Sequence, residues 1–145
     1  MIIIPEVQSR DRKGAEAPEF GKSGGRMEKI NISEKLRSFD KYWQSKLVSD
    51  FNNQSVKLTK MKGEFDWHQH ETEDELYLVL KGQLTIEFQN ETVILNDGDL
   101  FIIPSGTGHR LVAAQDVHLL VVEPKSTLNM ERMKKTDVSG PSKVL

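Results

Sequence analysis

The middle of the chain alternates between apolar and polar positions, and short clusters of turn-forming residues interrupt the alternation. Leu84, Ile86 and Phe88 are separated by polar residues, for example. Side chains of a strand alternate between its two faces, so this period predicts strands that bury one face. The predicted strands are Lys46–Phe51, Ser55–Met61, Phe65–His70, Glu75–Leu80, Gln83–Phe88, Glu91–Leu95, Leu100–Ile103, His109–Ala113 and Val117–Glu123. Short strands with closely spaced turns favour an all-β sandwich or barrel.

A different period precedes the strands. Apolar residues recur at helical spacing at Leu36, Phe39, Trp43 and Leu47. Asn31 or Ser33 can cap the N-terminus of such a helix. The pattern therefore predicts a helix at about 33–46 that covers one edge or one end of the strands.

The two ends of the chain differ from this central part. Residues 1–26 are rich in glycine, proline and charge after Ile4, and they are predicted to form a flexible tail. An alternative is that this segment is a non-native extension before Met27. Residues 126–145 are polar and are predicted to form an arm or a disordered end. One domain is therefore expected at 27–125.

Composition narrows the function. The chain has 145 residues, a formal net charge of −2 and no cysteine. Its sequence pI is about 6.1, so no electrostatic argument favours nucleic acid or an anionic membrane as a partner. Without cysteine there are neither disulfides nor thiolate metal sites. A cytoplasmic protein is expected.

Two histidines and a glutamate are concentrated in one segment. Their setting is Gly63, His68, His70, Glu75 and Gly82. His68 and His70 are two apart in a predicted strand, so they are expected to project from the same face. Two imidazoles at that separation can bind one metal ion, and Glu75 adds a carboxylate.

A second segment carries a third histidine in a similar setting. It contains Gly98, Pro104, Gly106 and His109, with the glycines at expected tight turns. If the fold joins the two segments, three imidazoles and one carboxylate suit a divalent first-row metal. The fourth histidine, His118, lies in an ordinary apolar strand and is predicted to pack there.

These two segments resemble the paired motifs of the cupin superfamily, approximately G-x5-H-x-H-x3-4-E-x6-G and G-x5-P-x-G-x2-H-x3-N. The chain has four residues between Gly63 and His68, and Ala113 stands where the family often has asparagine. Neither difference affects a ligand position. The resemblance extends from about residue 47 to residue 123. It is greatest to stand-alone single-domain cupins described as mannose-6-phosphate-isomerase-like, a label that reflects fold and not chemistry.

The resemblance implies a small cupin barrel, also called a double-stranded β-helix or jelly roll, with the helix on its N-terminal side. It implies a metal bound by His68, His70, Glu75 and His109, with iron, manganese, nickel or zinc as candidates. The expected function is a metal-dependent enzyme acting on a small molecule by isomerase, dioxygenase, decarboxylase or lyase chemistry. The alternative is a non-catalytic ligand-binding or sensor cupin that contains a metal.

Alternation also suggests catalytic groups. Tyr77 shares the face of Glu75 and is predicted to be a proton donor, while Glu75 is either a ligand or a base. No lysine or arginine falls clearly on an inner face, so the pocket is expected to be small and mostly apolar. The lack of such a cation argues against a phosphorylated sugar as the substrate. Leu84, Ile86 and Phe88 are the expected inner wall.

Self-association is expected as well. An apolar sheet closed by one helix leaves strand edges exposed, and pairing between subunits covers them. The resemblance implies a homodimer. Strand Lys46–Phe51 or the C-terminal arm is the segment expected to be exchanged.

Overall fold

Seven strands and one short helix make up residues 27–127, the part of the chain that the structure, a computed structural model, describes. The predicted tail at 1–26 and the predicted arm after residue 127 lie outside the described residues. In chain order the elements are α1 (Ile32–Arg37), β1 (Lys46–Phe51), β2 (Gln54–His68), β3 (Glu75–Lys81), β4 (Leu84–Phe88), β5 (Thr92–Leu95), β6 (Leu100–Ile103) and β7 (His109–Pro124). The predicted all-β class is confirmed.

All strand pairs are antiparallel, and β7 pairs with three other strands, β2, β3 and β4. The order along one path is β1-β2-β7-β3-β6, and β4 pairs with both β5 and β7. β7 pairs with β4 through residues 109–112 and with β3 through residues 118–122. Because β2 runs beside β7 along both parts, these two long strands connect the two halves of the barrel.

Each long strand was predicted as two short ones. β2 unites Ser55–Met61 with most of the predicted strand Phe65–His70 and ends at His68, and β7 unites the last two predicted strands. The register between β2 and β7 shifts between Met61 and Gly63, where Gly63 has a φ of 92°. A bulge of this kind bends a strand without ending it, so the glycine did not mark a turn.

Helix α1 is shorter than predicted. The cap is Asn31, whose side chain accepts a hydrogen bond from the Glu34 N–H at 3.0 Å. The helix nevertheless ends at Arg37 and does not continue to about 46. Trp43 has a φ of 60°, and its N–H and Nε1–H donate to the carbonyls of Lys60 and Lys62. Packing against β2 therefore overrides the helical period.

The core lies on the inner face of the barrel. Leu84 and Ile86 are fully buried there, and Phe88 packs against them from a partly buried position, so the predicted inner wall is confirmed. Strand β3 buries its inner residues, while alternate positions such as Leu76 are only partly buried. Within residues 27–127, no helix is long and apolar enough to cross a membrane.

Candidate metal centre

Three of the predicted site residues lie at strand ends on one side of the barrel. His68 is the last residue of β2 and His109 is the first of β7, and the two are directly paired in the sheet register. Glu75 is the first residue of β3. The antiparallel pairing of β7 with both other strands brings the two sequence segments together, as the metal-site prediction required.

These three side chains form a compact buried group. One potential ligand atom from each of His68, Glu75 and His109 lies within 4.8 Å of the others. The two imidazole centroids are 4.2 Å apart. His109 Nε2 is buried and has no hydrogen-bond partner, which is costly for an imidazole nitrogen unless something binds it. Two imidazoles and one carboxylate thus fit a divalent transition metal.

Backbone carbonyls fix the tautomer of both histidines. His68 Nδ1 is 2.9 Å from the Asp66 carbonyl, and His109 Nδ1 is 2.8 Å from the Thr107 carbonyl. A carbonyl oxygen only accepts, so each Nδ1 must carry the hydrogen. In the neutral rings Nε2 then keeps its lone pair free for a metal. A hydrogen bond from the ring nitrogen that does not bind the metal, here Nδ1–H to a backbone carbonyl, is the usual way in which a ligating histidine is oriented.

Burial keeps these two imidazoles neutral. It lowers the pKa of His68 to about 3, and the neighbouring His109 acts in the same direction. Burial also lowers the pKa of His109. A metal needs the neutral ring as ligand, so the lowered pKa values favour metal binding by both imidazoles.

His70 is placed differently from the prediction. Strand β2 ends at His68, and the alternation that would align the two histidines therefore stops before His70. Its Nε2 lies 3.0 Å from Glu75 Oε1, and it is not part of the three-residue group. Burial by itself raises the pKa of Glu75 and lowers that of His70. The contact between the two outweighs burial, so the pKa of Glu75 is lowered to about 2 and that of His70 is raised.

Tyr77 lies on the inner face beside Glu75, as alternation predicted. It is fully buried, and its hydroxyl donates to Glu75 Oε2 over 3.4 Å. Burial and the adjacent carboxylates raise its pKa well above 10. The phenol therefore keeps its proton and acts on Glu75 as a hydrogen-bond donor.

The sequence analysis missed two charged residues on the inner face. Lys57 Nζ and Glu123 Oε1 form a salt bridge of 2.6 Å, and both side chains are largely buried. The expectation that no lysine lies on an inner face is therefore wrong. For Glu123 the sequence does contain a signal of its inward orientation, because this residue continues the alternation of the buried residues Val117, Leu119 and Val121.

Glu123 has an unusual environment. Burial raises its pKa to about 7, and the carboxylate of Glu75 adds to this, although Lys57 acts in the opposite direction.

His118, by contrast, lies outside the candidate centre and contacts Asp116 at 3.1 Å. It packs as predicted.

Fold and site together define an all-β barrel protein with a candidate metal centre at one end. Residues 56–123 match the family described as "Cupin domain". The chain is also 32% identical to a cupin-2 domain containing protein of Shewanella frigidimarina, over 66% of this chain and 94% of that one, with a TM-score of 0.65. The chain belongs to the cupin superfamily.

Two further relatives extend the comparison. The protein NMB1881 of Neisseria meningitidis has a TM-score of 0.62 and 22% identity over 68% of this chain and all of its own, a likeness of fold alone. The chain is 45% identical over 64 residues to the uncharacterized protein YdbB of Bacillus subtilis. That match covers 43% of this chain and 57% of the relative.

Proposed function

We propose that this chain is a metal-dependent cupin enzyme that acts on a small molecule. One observation carries the proposal: His68, Glu75 and His109 form a buried group at the barrel end in which His109 Nε2 has no partner. A purely structural group would be expected to satisfy its own polar atoms.

Each residue of the group has a role that follows from its contacts. His68 and His109 offer Nε2 because their Nδ1–H groups donate to backbone carbonyls. Glu75 supplies a negative charge, since its pKa is about 2. His70, whose Nε2 lies 3.0 Å from Glu75 Oε1, is the proposed fourth ligand. A bound divalent ion would supply Lewis-acid activation of an oxygen-containing substrate.

The identity of the metal and the type of reaction are more specific proposals than the presence of a metal centre. Iron, manganese, nickel and zinc all accept imidazole and carboxylate ligands, and the ligand set does not distinguish them. Isomerase, dioxygenase, decarboxylase and lyase chemistry are all compatible with such a centre. We propose Glu75 as the catalytic base if it leaves the metal. Tyr77 is the proposed proton donor, because its hydroxyl lies on the inner face and donates a hydrogen bond to Glu75.

The charge of the pocket bears on the substrate. Lys57 faces inward, but its charge is paired with Glu123 at 2.6 Å. The inner face therefore still offers no unpaired cation for a phosphate among the described residues. We propose an uncharged or weakly acidic small molecule that chelates through oxygen. Membership of the mannose-6-phosphate-isomerase-like group would then describe the fold and not the substrate.

Elemental analysis of untagged protein by plasma mass spectrometry tests the centre. We expect near-stoichiometric metal in the wild type and little in His68→Ala and His109→Ala, with the circular dichroism spectrum of each retained. His118→Ala is the matched control, because this histidine lies outside the candidate centre, 3.1 Å from Asp116, and its loss should leave the metal content unchanged.

The outcomes separate the candidate functions. Full metal retention in both ligand variants would contradict the assignment of the centre. A wild type that takes up no metal on reconstitution would contradict the metal centre itself and would favour a ligand-binding module that does not use a metal. Iron would direct the substrate screen to oxygen-consuming reactions, and manganese, nickel or zinc would direct it to isomerase, lyase or decarboxylase substrates.

We also propose a cytoplasmic homodimer. The cytoplasmic location is supported by the absence of cysteine. The dimer is supported by β6, a strand at the end of the sheet path, whose Leu100 and Ile102 are 56% and 51% exposed. Strand Lys46–Phe51 pairs with β2 within the chain and remains a candidate for exchange between subunits, and the exposed face of β6 is a further proposed contact.

A further inference from the structure

Two loops border the candidate metal centre. The first, residues 69–74, joins β2 to β3 and carries His70. The second, residues 104–108, joins β6 to β7 and leads directly into His109. They are called the His70 loop and the His109 loop below. Each loop carries or adjoins a proposed ligand, so the contact between the loops bears on the geometry of the centre.

Two hydrogen bonds join these loops. The Gly106 N–H donates to the carbonyl of His70 at 2.6 Å. The neighbouring Ser105 N–H donates to Asp74 Oδ1 at 2.8 Å. Two consecutive donors of the His109 loop are therefore both bound by the His70 loop. The first bond holds the backbone of His70 itself, and the second holds the end of the same loop.

His70 depends on this junction more than the other proposed ligands do. His68 and His109 are paired with each other in the register of β2 and β7. Glu75 is held by its pairing with β6. His70 lies beyond the end of β2 and has no such pairing, so the loop and its contacts determine where its imidazole starts from.

Asp74 contributes a side chain to the junction. Its carboxylate accepts from a backbone N–H, and a charged acceptor makes such a bond stronger than a neutral one. A further contact of the His70 loop, from Ser126 Oγ to Glu73 Oε1, is longer at 3.2 Å. A substitution of Asp74 therefore weakens the junction while it leaves all four proposed ligands in the chain.

We propose that Asp74 is a positioning residue, which places His70 for metal binding by holding the His70 loop against the His109 loop. The proposal rests on the metal centre proposed above, with His70 as its fourth ligand, and adds to it a residue that does not bind the metal. The net contribution of one hydrogen bond to a charged group corresponds to about a 10-fold change in an equilibrium constant.

Cobalt titration of the full-length protein, freed of metal with a chelator, tests this. The dissociation constant and the visible absorption of bound Co²⁺ are measured together. We expect Asp74→Ala to weaken binding about 10-fold and to change the absorption spectrum. Asp74→Asn should bind within about threefold of wild type, because the amide oxygen still accepts from the Ser105 N–H, although without the charge.

Asp97→Ala is the matched control. Asp97 is also exposed, and its Oδ1 accepts a hydrogen bond of 2.6 Å from the Gly82 N–H, just past the other end of β3. The variant removes the same kind of contact away from the centre, so cobalt binding should be unchanged. Thermal unfolding of each variant identifies any that fails to fold. If Asp74→Ala does not fold, Asp74→Glu takes its place, because the extra methylene group misplaces the acceptor.

A double-mutant cycle shows whether Asp74 acts through His70. His70→Ala should itself weaken cobalt binding. Adding Asp74→Ala to it should change the dissociation constant by less than about twofold, because the residue to be positioned is already absent. A merely structural role of Asp74 would lower the affinity by the same factor in both backgrounds.

The outcomes distinguish the two proposals. A wild type that binds no cobalt would overturn the metal centre and this inference with it. A wild type that binds cobalt, with Asp74→Ala binding equally well, would overturn only the positioning role. The same conclusion would follow if Asp74→Asn lost as much affinity as Asp74→Ala, if His70→Ala bound cobalt as tightly as wild type, or if the effect of Asp74→Ala persisted in full without His70.

Discussion

Replacing Gly82 by alanine should destabilise the barrel more than the same replacement at Gly63. Both residues have nearly the same left-handed backbone, with φ of 94° and 92°. An added Cβ at Gly82 would lie 2.4 Å from the Asp116 carbonyl oxygen and 3.2 Å from two atoms of Val117. At Gly63 it would meet nothing within 4 Å. The pair therefore separates backbone strain from a steric clash.

The magnitudes follow from these distances. Positive φ costs a residue with a Cβ about 1–2 kcal/mol, and this applies to both variants. At Gly82 the obstacle is backbone of β7, which cannot rotate away as a side chain can. Forcing extra volume into a packed site adds about 1–3 kcal/mol. We therefore expect Gly63→Ala to cost about 1–2 kcal/mol and Gly82→Ala about 2–5 kcal/mol.

Equilibrium unfolding in urea, with a chelator present, measures both values under the same conditions. The midpoint multiplied by the slope gives the free energy of unfolding for each variant and for the wild type. If the two variants differ by less than about 0.5 kcal/mol, the close approach of Gly82 to β7 does not govern stability and the reasoning is wrong. A larger loss at Gly63 would contradict it more strongly.

Two further predictions concern pH and association. Burial holds the pKa of His68 near 3, against 6.5 in the unfolded chain, so only the unfolded state takes up this proton as the pH falls below 6.5. Between pH 6.5 and 5, the free energy of unfolding of the metal-free wild type should therefore fall by about 2 kcal/mol more than that of His68→Leu. Urea unfolding at several pH values measures both. If the two free energies fall equally with pH, the low pKa of His68 is contradicted. Ile102→Lys should convert a dimer into a monomer in light scattering after size exclusion. Ile94→Lys, at an equally exposed isoleucine of β5, should not. A monomeric wild type, or a dimer in both variants, would refute the proposed contact.

The alternation of apolar residues was sufficient to predict most strands and the inner wall. Leu84 and Ile86 are buried where the period of two put them, because a strand has no other way to place its side chains. Boundaries were predicted less well. Trp43 fits a helical period, yet its hydrogen bonds to β2 hold it in a left-handed conformation. Contacts between distant segments decide where such an element ends, and the spacing of residues along the chain carries no information about those contacts.

The candidate centre shows the same division. Spacing, residue type and the resemblance to the cupin motifs together singled out His68, His70, Glu75 and His109. Whether His70 joins the other three depended on where β2 ends, which the register with β7 decides. The pairing of His68 with His109 is likewise a property of the β2–β7 register. The sequence by itself determined the kind of fold and the chemistry at one end of it. Only the tertiary structure decided which side chains meet, because that depends on the pairing of strands far apart in the chain.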